Sequence, residues 1–260
     1  MNNILSKNIK VDGLDVHYYT AGEGDPLVVI HGGGGDARSW QHNIGELARE
    51  YTVYAPDLPG YGLTQPLKGK YHIPELADFM AKFTKTLGLE KFSVVGHSLG
   101  GGVALNLALK IPSQIKKLVL VSSLCLGNDI AFWLRLISLP TIISLVGTVF
   151  IWGFNLAKWL VSHLNPVKYI LPLTPASMAV GVSISDFHRQ RLVLEKRLSE
   201  IKMPTLLVWG GRDSVVPVKQ AYSASKKIPN CQLLVFKHRG HNVHREEVKN
   251  FSRLVKDFLN

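Results

Sequence analysis

The segment Gly96-His97-Ser98-Leu99-Gly100 combines a serine with two flanking glycines in the spacing G-x-S-x-G. It follows an apolar run at Phe92–Val95 that predicts a strand, and it precedes a run at Leu99–Lys110 that predicts a helix. A sharp strand-to-helix turn holds a serine in a strained conformation and exposes its hydroxyl, and the glycines leave room for the neighbouring backbone. The chemistry predicted from this segment is nucleophilic attack by Ser98.

A serine hydroxyl is a weak nucleophile and needs a base that is itself oriented by a third group. Asp213 follows a predicted strand at Thr205–Trp209, and His241 follows a predicted strand at Gln232–Phe236. Both lie just beyond the carboxyl ends of strands, where ligands bind in open α/β sheets. The chain order serine, aspartate, histidine predicts Ser98 as nucleophile, Asp213 as orienting acid and His241 as general base.

Four consecutive glycines, residues 32–35, follow the predicted strand Leu27–Ile30. Attack on a carbonyl group places negative charge on its oxygen, which needs preorganised N–H donors. Glycines allow backbone N–H groups to approach that oxygen without obstruction. We expect the N–H groups of Leu99 and Gly33 to form this oxyanion hole, with Gly34 as an alternative to Gly33. A phosphate-binding loop is disfavoured, since no Gly-Lys-Ser or Gly-Lys-Thr follows.

Strands and helices alternate along most of the chain, which predicts an α/β fold with a mostly parallel sheet and helices on both faces. The further predicted strands are Val16–Thr20, Thr52–Ala55 and Lys117–Ser122, and the further predicted helices are Trp40–Tyr51, Ile73–Leu87, Lys219–Lys227 and Arg245–Leu259.

With these motifs in this order, the sequence resembles the α/β-hydrolase superfamily over nearly its whole length, in the serine-nucleophile carboxylesterase and lipase-like branch. The resemblance implies a core at residues 1–123 and 201–260, with an inserted helical, apolar lid at 124–200. It also implies that Asp57-Leu-Pro-Gly-Tyr-Gly62 is a structural turn, so that Asp57 has no catalytic role.

Within this superfamily the serine at position 98 disfavours the dehalogenase and epoxide hydrolase branches, whose nucleophile is aspartate. The glycine run and Ser39-Trp40…Asn43 resemble hydrolases that cleave carbon–carbon bonds in vinylogous diketones, the meta-cleavage-product type. Three positions depart from that pattern: Gly34-Gly35, His97 and Asn242. Carboxylic ester hydrolysis is therefore the favoured reaction. Carbon–carbon hydrolysis, acyl transfer and a non-catalytic hydrolase-like ligand-binding protein are the alternatives.

Several further residues are predicted to line the substrate site: Gly32, Gly34, His97, Trp133 and Trp152. Packing beside the serine turn is the alternative role for His97. The histidines at 238, 241 and 244 do not form a good zinc site, because two three-residue spacings do not hold three ligands on one helical face. We expect neither a metal nor another cofactor.

The 22 residues Leu136–Ala157 carry no formal charge and are long enough to span a bilayer. One crossing would place Ser98 and His241 on opposite sides of the membrane, so the interpretation as a lid is favoured. An apolar lid predicts a small ester substrate with an apolar acyl or aromatic group. A peripheral membrane contact, with Arg135 and Lys158 meeting lipid headgroups, is the alternative role of this stretch.

The composition of the chain restricts the remaining possibilities. Its 260 residues are 46% hydrophobic and 19% charged, which excludes global disorder. Two cysteines are too few for a disulfide framework. The formal charge is −2 over residues 1–98, +6 over 99–200 and +7 over 201–260, but long basic runs and RNA- or DNA-binding motifs are absent, so no nucleic-acid partner is expected. The first ten residues lack the apolar core of a signal peptide, which favours a cytoplasmic location.

Overall fold

A computed structural model describes residues 3–69, 71–131, 190 and 192–260 of the chain. In this part of the protein one sheet of eight strands runs through the molecule in the order β1-β2-β4-β3-β5-β6-β7-β8. The strands β1 and β2 are antiparallel to their neighbours, and β3 to β8 are mutually parallel. The strands are β1 Leu5–Val11, β2 Leu14–Ala21, β3 Asp25–Ile30, β4 Tyr51–Pro56, β5 Phe92–His97, β6 Ile115–Val121, β7 Thr205–Gly210 and β8 Cys231–Phe236.

Helices cover both faces of this sheet, which confirms the predicted α/β class. The described helices are α1 Gln41–Leu47, α2 Ile73–Thr86, α3 Leu99–Lys110, α4 Lys219–Ser225, α5 Val243–Glu246 and α6 Val248–Leu259. Residues of α2, α3 and α4 form the apolar core on one face. Residues of α1, α5 and α6 form the core on the other face.

The central strands are apolar on both faces because each contributes to both cores. In β3 the side chains of Leu27 and Val29 belong to the α1 side, and those of Val28 and Ile30 belong to the α2 side. All four are fully buried. Burial of this kind is worth roughly 1.5–3 kcal/mol for each large aliphatic side chain. It explains why the central strands appear in the sequence as continuous apolar runs.

Three elements differ from the sequence prediction. Strand β1 was not predicted, because most of its side chains are exposed and it is held by backbone pairing with β2 at the edge of the sheet. The helix expected over Trp40–Tyr51 ends at Leu47, since Tyr51 begins β4. The helix expected over Arg245–Leu259 is divided by Glu247, whose φ of −128° is not helical.

Most of the insertion predicted at 124–200, including the apolar stretch Leu136–Ala157, lies outside the described residues. Its two described flanks pack into the α2-side core, where Leu124 and Leu198 are buried. Within the described ranges, the helices are all too short or too polar to cross a membrane.

Asp57 organises the turn that follows β4. Its carboxylate accepts hydrogen bonds from the backbone N–H groups of Ala37, at 2.8 Å, and Leu63, at 3.0 Å, and from Nδ1 of His17, at 2.8 Å. Nε2 of His17 lies in turn 2.8 Å from the hydroxyl of Ser6, within hydrogen-bond distance. Asp57 thus joins the segment before α1 to the turn after β4, as expected for a structural residue.

Candidate active site

Ser98 occupies the turn between β5 and α3 with φ 52° and ψ −113°, a conformation that few non-glycine residues adopt. The flanking glycines are required sterically. A Cβ atom on Gly96 would lie 2.2 Å from the carbonyl oxygen of Gly100, and one on Gly100 would lie 2.4 Å from that of Ile30. The absence of a side chain at both positions therefore permits the tight turn at the amino end of α3.

Backbone hydrogen bonds hold Ser98 in this strained conformation. Its N–H donates to the carbonyl oxygen of Val121 at 2.9 Å, and its own carbonyl oxygen accepts from Gly102 and Leu124, each at 3.1 Å. The turn is therefore tied to β6 and to the segment that follows it, which offsets a strain of about 1–3 kcal/mol.

Asp213 and His241 form a hydrogen-bonded pair beyond β7 and β8. Nδ1 of His241 lies 2.9 Å from Oδ2 and 3.1 Å from Oδ1 of Asp213. Oδ1 also accepts from the N–H groups of Val215, at 2.8 Å, and Val216, at 2.9 Å, and the Asp213 side chain is fully buried. A carboxylate with these donors fixes the proton of His241 on Nδ1, which leaves the lone pair of a base on Nε2.

The loops that carry this pair are joined through their backbones. The N–H of Gly211 donates to Phe236, and that of Arg212 donates to Arg239, each at 2.9 Å. A Cβ atom on Gly210 would lie 2.0 Å from the carbonyl oxygen of Gly240. Gly210 and Gly211 therefore permit the close approach of the two loops and set the position of Asp213 beside His241.

The parallel sheet brings these loops to the edge on which Ser98 lies, because β5, β7 and β8 all end there. A direct link joins the serine turn to the histidine loop. Nε2 of His97 lies 3.0 Å from the backbone carbonyl oxygen of His241, and the two rings are 4.8 Å apart between centroids. The three residues predicted from the sequence are thus gathered at one edge of the sheet.

The glycine loop after β3 is held by His31, whose role was not predicted. Its Nδ1 donates to the carbonyl oxygen of Gly32 at 2.8 Å, and its Nε2 accepts from the N–H of Leu58 at 2.9 Å. Burial lowers the pKa of His31, which keeps the ring neutral as this pair of bonds requires. The signal in the sequence is a histidine directly between a buried strand and the glycine run.

The glycines of this loop differ in their surroundings. A Cβ atom on Gly32 would lie 2.7 Å from Nδ1 of His97 and 3.3 Å from Cβ of Ser98, whereas one on Gly34 would meet nothing within 4 Å. Gly33 lies against Leu99, with its Cβ position 3.5 Å from the Leu99 side chain. Leu99 is the first residue of α3, where a backbone N–H lacks an intrahelical acceptor.

Two other residues that were predicted to contact substrate, Trp133 and Trp152, lie outside the described residues. His97, by contrast, is well described and is only 5% exposed. Its ring packs against that of His244 at 4.3 Å as well as against His241. Burial and the adjacent histidines hold its pKa well below the usual range, so the ring is neutral.

His244 and Asn43 join α1 to the segment that follows His241, and the sequence indicated a role for neither. The His244 ring is fully buried against Trp40, with centroids 4.3 Å apart, and burial lowers its pKa to about 3. Asn43 donates from Nδ2 to the backbone oxygen of His244 at 3.0 Å and to Ser252 at 3.1 Å. These contacts join α1 to the segment after His241, across about 200 residues of sequence that give no local signal.

Comparison with known proteins supports the assignment of the fold. A profile of the alpha/beta hydrolase fold matches residues 25–138. The dihydrolipoyllysine-residue acetyltransferase component of an acetoin cleaving system from Cupriavidus necator is 32% identical over 255 residues, which cover 96% of this chain and 67% of that protein.

Two further proteins are similar over nearly their whole length. A 2-hydroxy-6-oxo-2,4-heptadienoate hydrolase from Pseudomonas putida is 28% identical over 274 residues, covering 100% of this chain and 98% of that protein. The solved structure of a meta-cleavage product hydrolase from Pseudomonas fluorescens is 25% identical, with a TM-score of 0.73 and coverage of 98% and 97%. By its fold, its motifs and these relatives, the chain belongs to the α/β-hydrolase fold family.

Proposed function

We propose that the protein is a serine hydrolase that cleaves a carboxylic ester with an apolar acyl or aromatic group. Ser98 is the nucleophile, His241 the general base and Asp213 the residue that orients the base. The observation that carries this proposal is the pairing of Asp213 with Nδ1 of His241, on a loop that is hydrogen-bonded to the residue before the strained serine.

The first half of the reaction forms an acyl-enzyme. Oγ of Ser98 attacks the ester carbonyl carbon while Nε2 of His241 accepts the hydroxyl proton. The carbonyl oxygen becomes an oxyanion, and the N–H groups of Leu99 and Gly33 donate to it. Each such donor is worth about 3–4 kcal/mol of activation free energy. The oxyanion then collapses, the bond to the leaving alkoxide breaks, and the alkoxide takes the proton from His241.

Water completes the cycle by the same route. His241 accepts a proton from water as the water oxygen attacks the acyl carbon, and the second oxyanion uses the same donors. Collapse breaks the bond to Oγ of Ser98, which regains its proton from His241. An acid product leaves, and no cofactor takes part in either half.

Carbon–carbon hydrolysis is the second candidate function. It is favoured by the similarity to the heptadienoate hydrolase of P. putida, which extends over almost the whole of both chains. This reaction expels carbon instead of oxygen, so the leaving group must be protonated on carbon. Ester cleavage remains preferred because His97 and Asn242 replace the asparagine and tryptophan that the sequence of such enzymes usually shows at these positions.

The test compares turnover of short and long p-nitrophenyl esters with turnover of a vinylogous diketone, by wild type and by Ser98→Ala. We expect ester cleavage that is lost in the variant, with covalent labelling of Ser98 by a fluorophosphonate. Faster cleavage of the diketone than of every ester would assign the second function. If the wild type shows no turnover of either substrate class and no labelling of Ser98, both functions are refuted. That result would favour a non-catalytic ligand-binding protein.

A further inference from the structure

The imidazole of His97 contacts three parts of the site at once. The residue directly precedes Ser98 in the chain, its Nε2 lies 3.0 Å from the carbonyl oxygen of His241, and its Nδ1 faces Gly32. The space on the Gly32 side is so restricted that a single added methyl carbon would lie 2.7 Å from Nδ1. One buried ring therefore separates the glycine loop from the histidine loop.

The hydrogen bond to His241 defines the protonation of the ring. A carbonyl oxygen can only accept, so Nε2 of His97 carries the proton. In the neutral ring Nδ1 then has a lone pair, which it directs toward Gly32. The ring thus acts as a fixed donor that does not need to change its charge during the reaction.

The carbonyl group that His97 holds belongs to the proposed base itself. Asp213 fixes the side chain of His241 at Nδ1, but a contact at the end of a side chain does not by itself fix the backbone of the same residue. The bond from His97 fixes the backbone of the same residue. Together, the two bonds define where Nε2 of His241 points.

We propose that His97 is a positioning residue, which holds the backbone of His241 and spaces the glycine loop so that base, nucleophile and oxyanion donors are aligned. This inference rests on the proposed function. A displacement of about 1 Å in such an arrangement costs on the order of 10² in rate, so the bond acts on catalysis through the position of His241.

Simple packing is the competing explanation, and His244 provides the matched control. Its ring contacts His97 at 4.3 Å and is equally buried, but neither of its nitrogens has a hydrogen-bond partner among the described residues. The variant His244→Phe disturbs the packing around His97 and leaves the bond to His241 in place.

The kinetic test uses His97→Leu, which removes the donor, and His97→Gln, whose amide N–H reaches about as far as Nε2 of histidine. We expect kcat to fall by a factor of about 10–100 in His97→Leu with KM within about threefold of wild type. His97→Gln should recover most of kcat, and His244→Phe should stay within about threefold. Circular dichroism confirms that each variant is folded. A kcat for His97→Leu within threefold of wild type, or His97→Gln as slow as His97→Leu, would overturn the proposal.

A second measurement does not depend on turnover. The Nδ1 proton of His241, bound to Asp213, should give a low-field proton NMR signal in the wild type and in His97→Gln. In His97→Leu we expect this signal to be lost through exchange with water, and an unchanged signal would count against the positioning role. If the wild type hydrolyses no substrate, the proposed function fails, while this signal still decides whether His97 holds His241.

Discussion

The hydroxyl of Ser6 lies 2.8 Å from Nε2 of His17, whose Nδ1 lies 2.8 Å from Asp57, so a complete serine–histidine–aspartate hydrogen-bond chain exists away from the serine turn. Ser6 is exposed on the edge strand β1 and has the extended backbone of a strand. Ser98 instead has the strained turn, a helix amino terminus and a glycine loop beside it. Comparing the two serines separates hydrogen bonding from the rest of the catalytic geometry.

We expect a fluorophosphonate to label Ser98 alone. Labelling produces a tetrahedral centre with a polar oxygen. The N–H donors beside Ser98 stabilise this oxygen, whereas the exposed strand that carries Ser6 offers no such donors. Mass spectrometry of the labelled peptides checks this. Ser98→Ala should abolish labelling. Ser6→Ala is the matched control, and its rate of labelling should stay within about twofold of the wild-type rate. Labelling of Ser6 at a comparable rate would show that the hydrogen-bond chain suffices.

Replacement of the two histidine-bound carboxylates should have different consequences. In Asp213→Asn, the amide oxygen still accepts from Val215 and Val216, but its NH₂ group meets Nδ1 of His241 and favours the wrong tautomer. We expect kcat to fall by about 10⁴ with little loss of stability. Steady-state kinetics and thermal unfolding of the same preparation measure both effects.

Asp57→Asn is the control for that prediction. Asp57 accepts three hydrogen bonds with two carboxylate oxygens, and an asparagine has only one acceptor oxygen. We expect the free energy of unfolding to fall by about 2–3 kcal/mol, with kcat of the folded protein within a few-fold of wild type. A large loss of kcat without loss of stability would give Asp57 a role that its contacts do not support.

The sequence was informative where structure is local or repeated. Central strands such as β3 and β5 are buried on both faces, so they appear as apolar runs, and the glycines around Ser98 mark a turn that excludes side chains. Parallel strands end at one edge of a sheet, so the sequence predicts that Asp213 and His241 meet there.

Contacts between distant segments were not predictable in this way. His97 was expected at the substrate site, but its partner His241 is 144 residues away, and no local pattern indicates which way the ring turns. Strand β1 escaped prediction for a similar reason. Its stability comes from backbone pairing with β2, and its exposed side chains carry little hydrophobic signal.

Two glycines of the same loop should differ in their tolerance of a side chain. In Gly32→Ala the new methyl group would lie 2.7 Å from Nδ1 of His97, within a buried region that cannot expand freely. We expect a loss of about 1–3 kcal/mol of stability. Gly34→Ala, where the methyl group meets nothing within 4 Å, should change stability by less than about 0.5 kcal/mol. Urea unfolding of both variants measures the difference, and equal losses would contradict this account of the loop.

Acid should destabilise the protein through its buried histidines. The pKa values of His31, His97 and His244 are all lowered, mainly by burial, and that of His244 is lowered to about 3. Histidines in the unfolded chain have pKa values of about 6.5. As the pH falls below that value, the unfolded chain binds protons that the folded protein does not. The stability contributed by these neutral rings is present above about pH 6.5 and is lost progressively below it.

His244→Phe isolates one part of this effect. Since neither ring nitrogen of His244 has a partner among the described residues, the variant loses no hydrogen bond of the side chain. A histidine whose folded pKa is strongly lowered contributes a slope of about 1.4 kcal/mol per pH unit. We therefore expect the variant to lose stability less steeply than wild type between pH 6 and pH 4, by about that amount per unit. Urea unfolding at a series of pH values checks this, and parallel curves would mean that His244 takes up its proton in the folded protein.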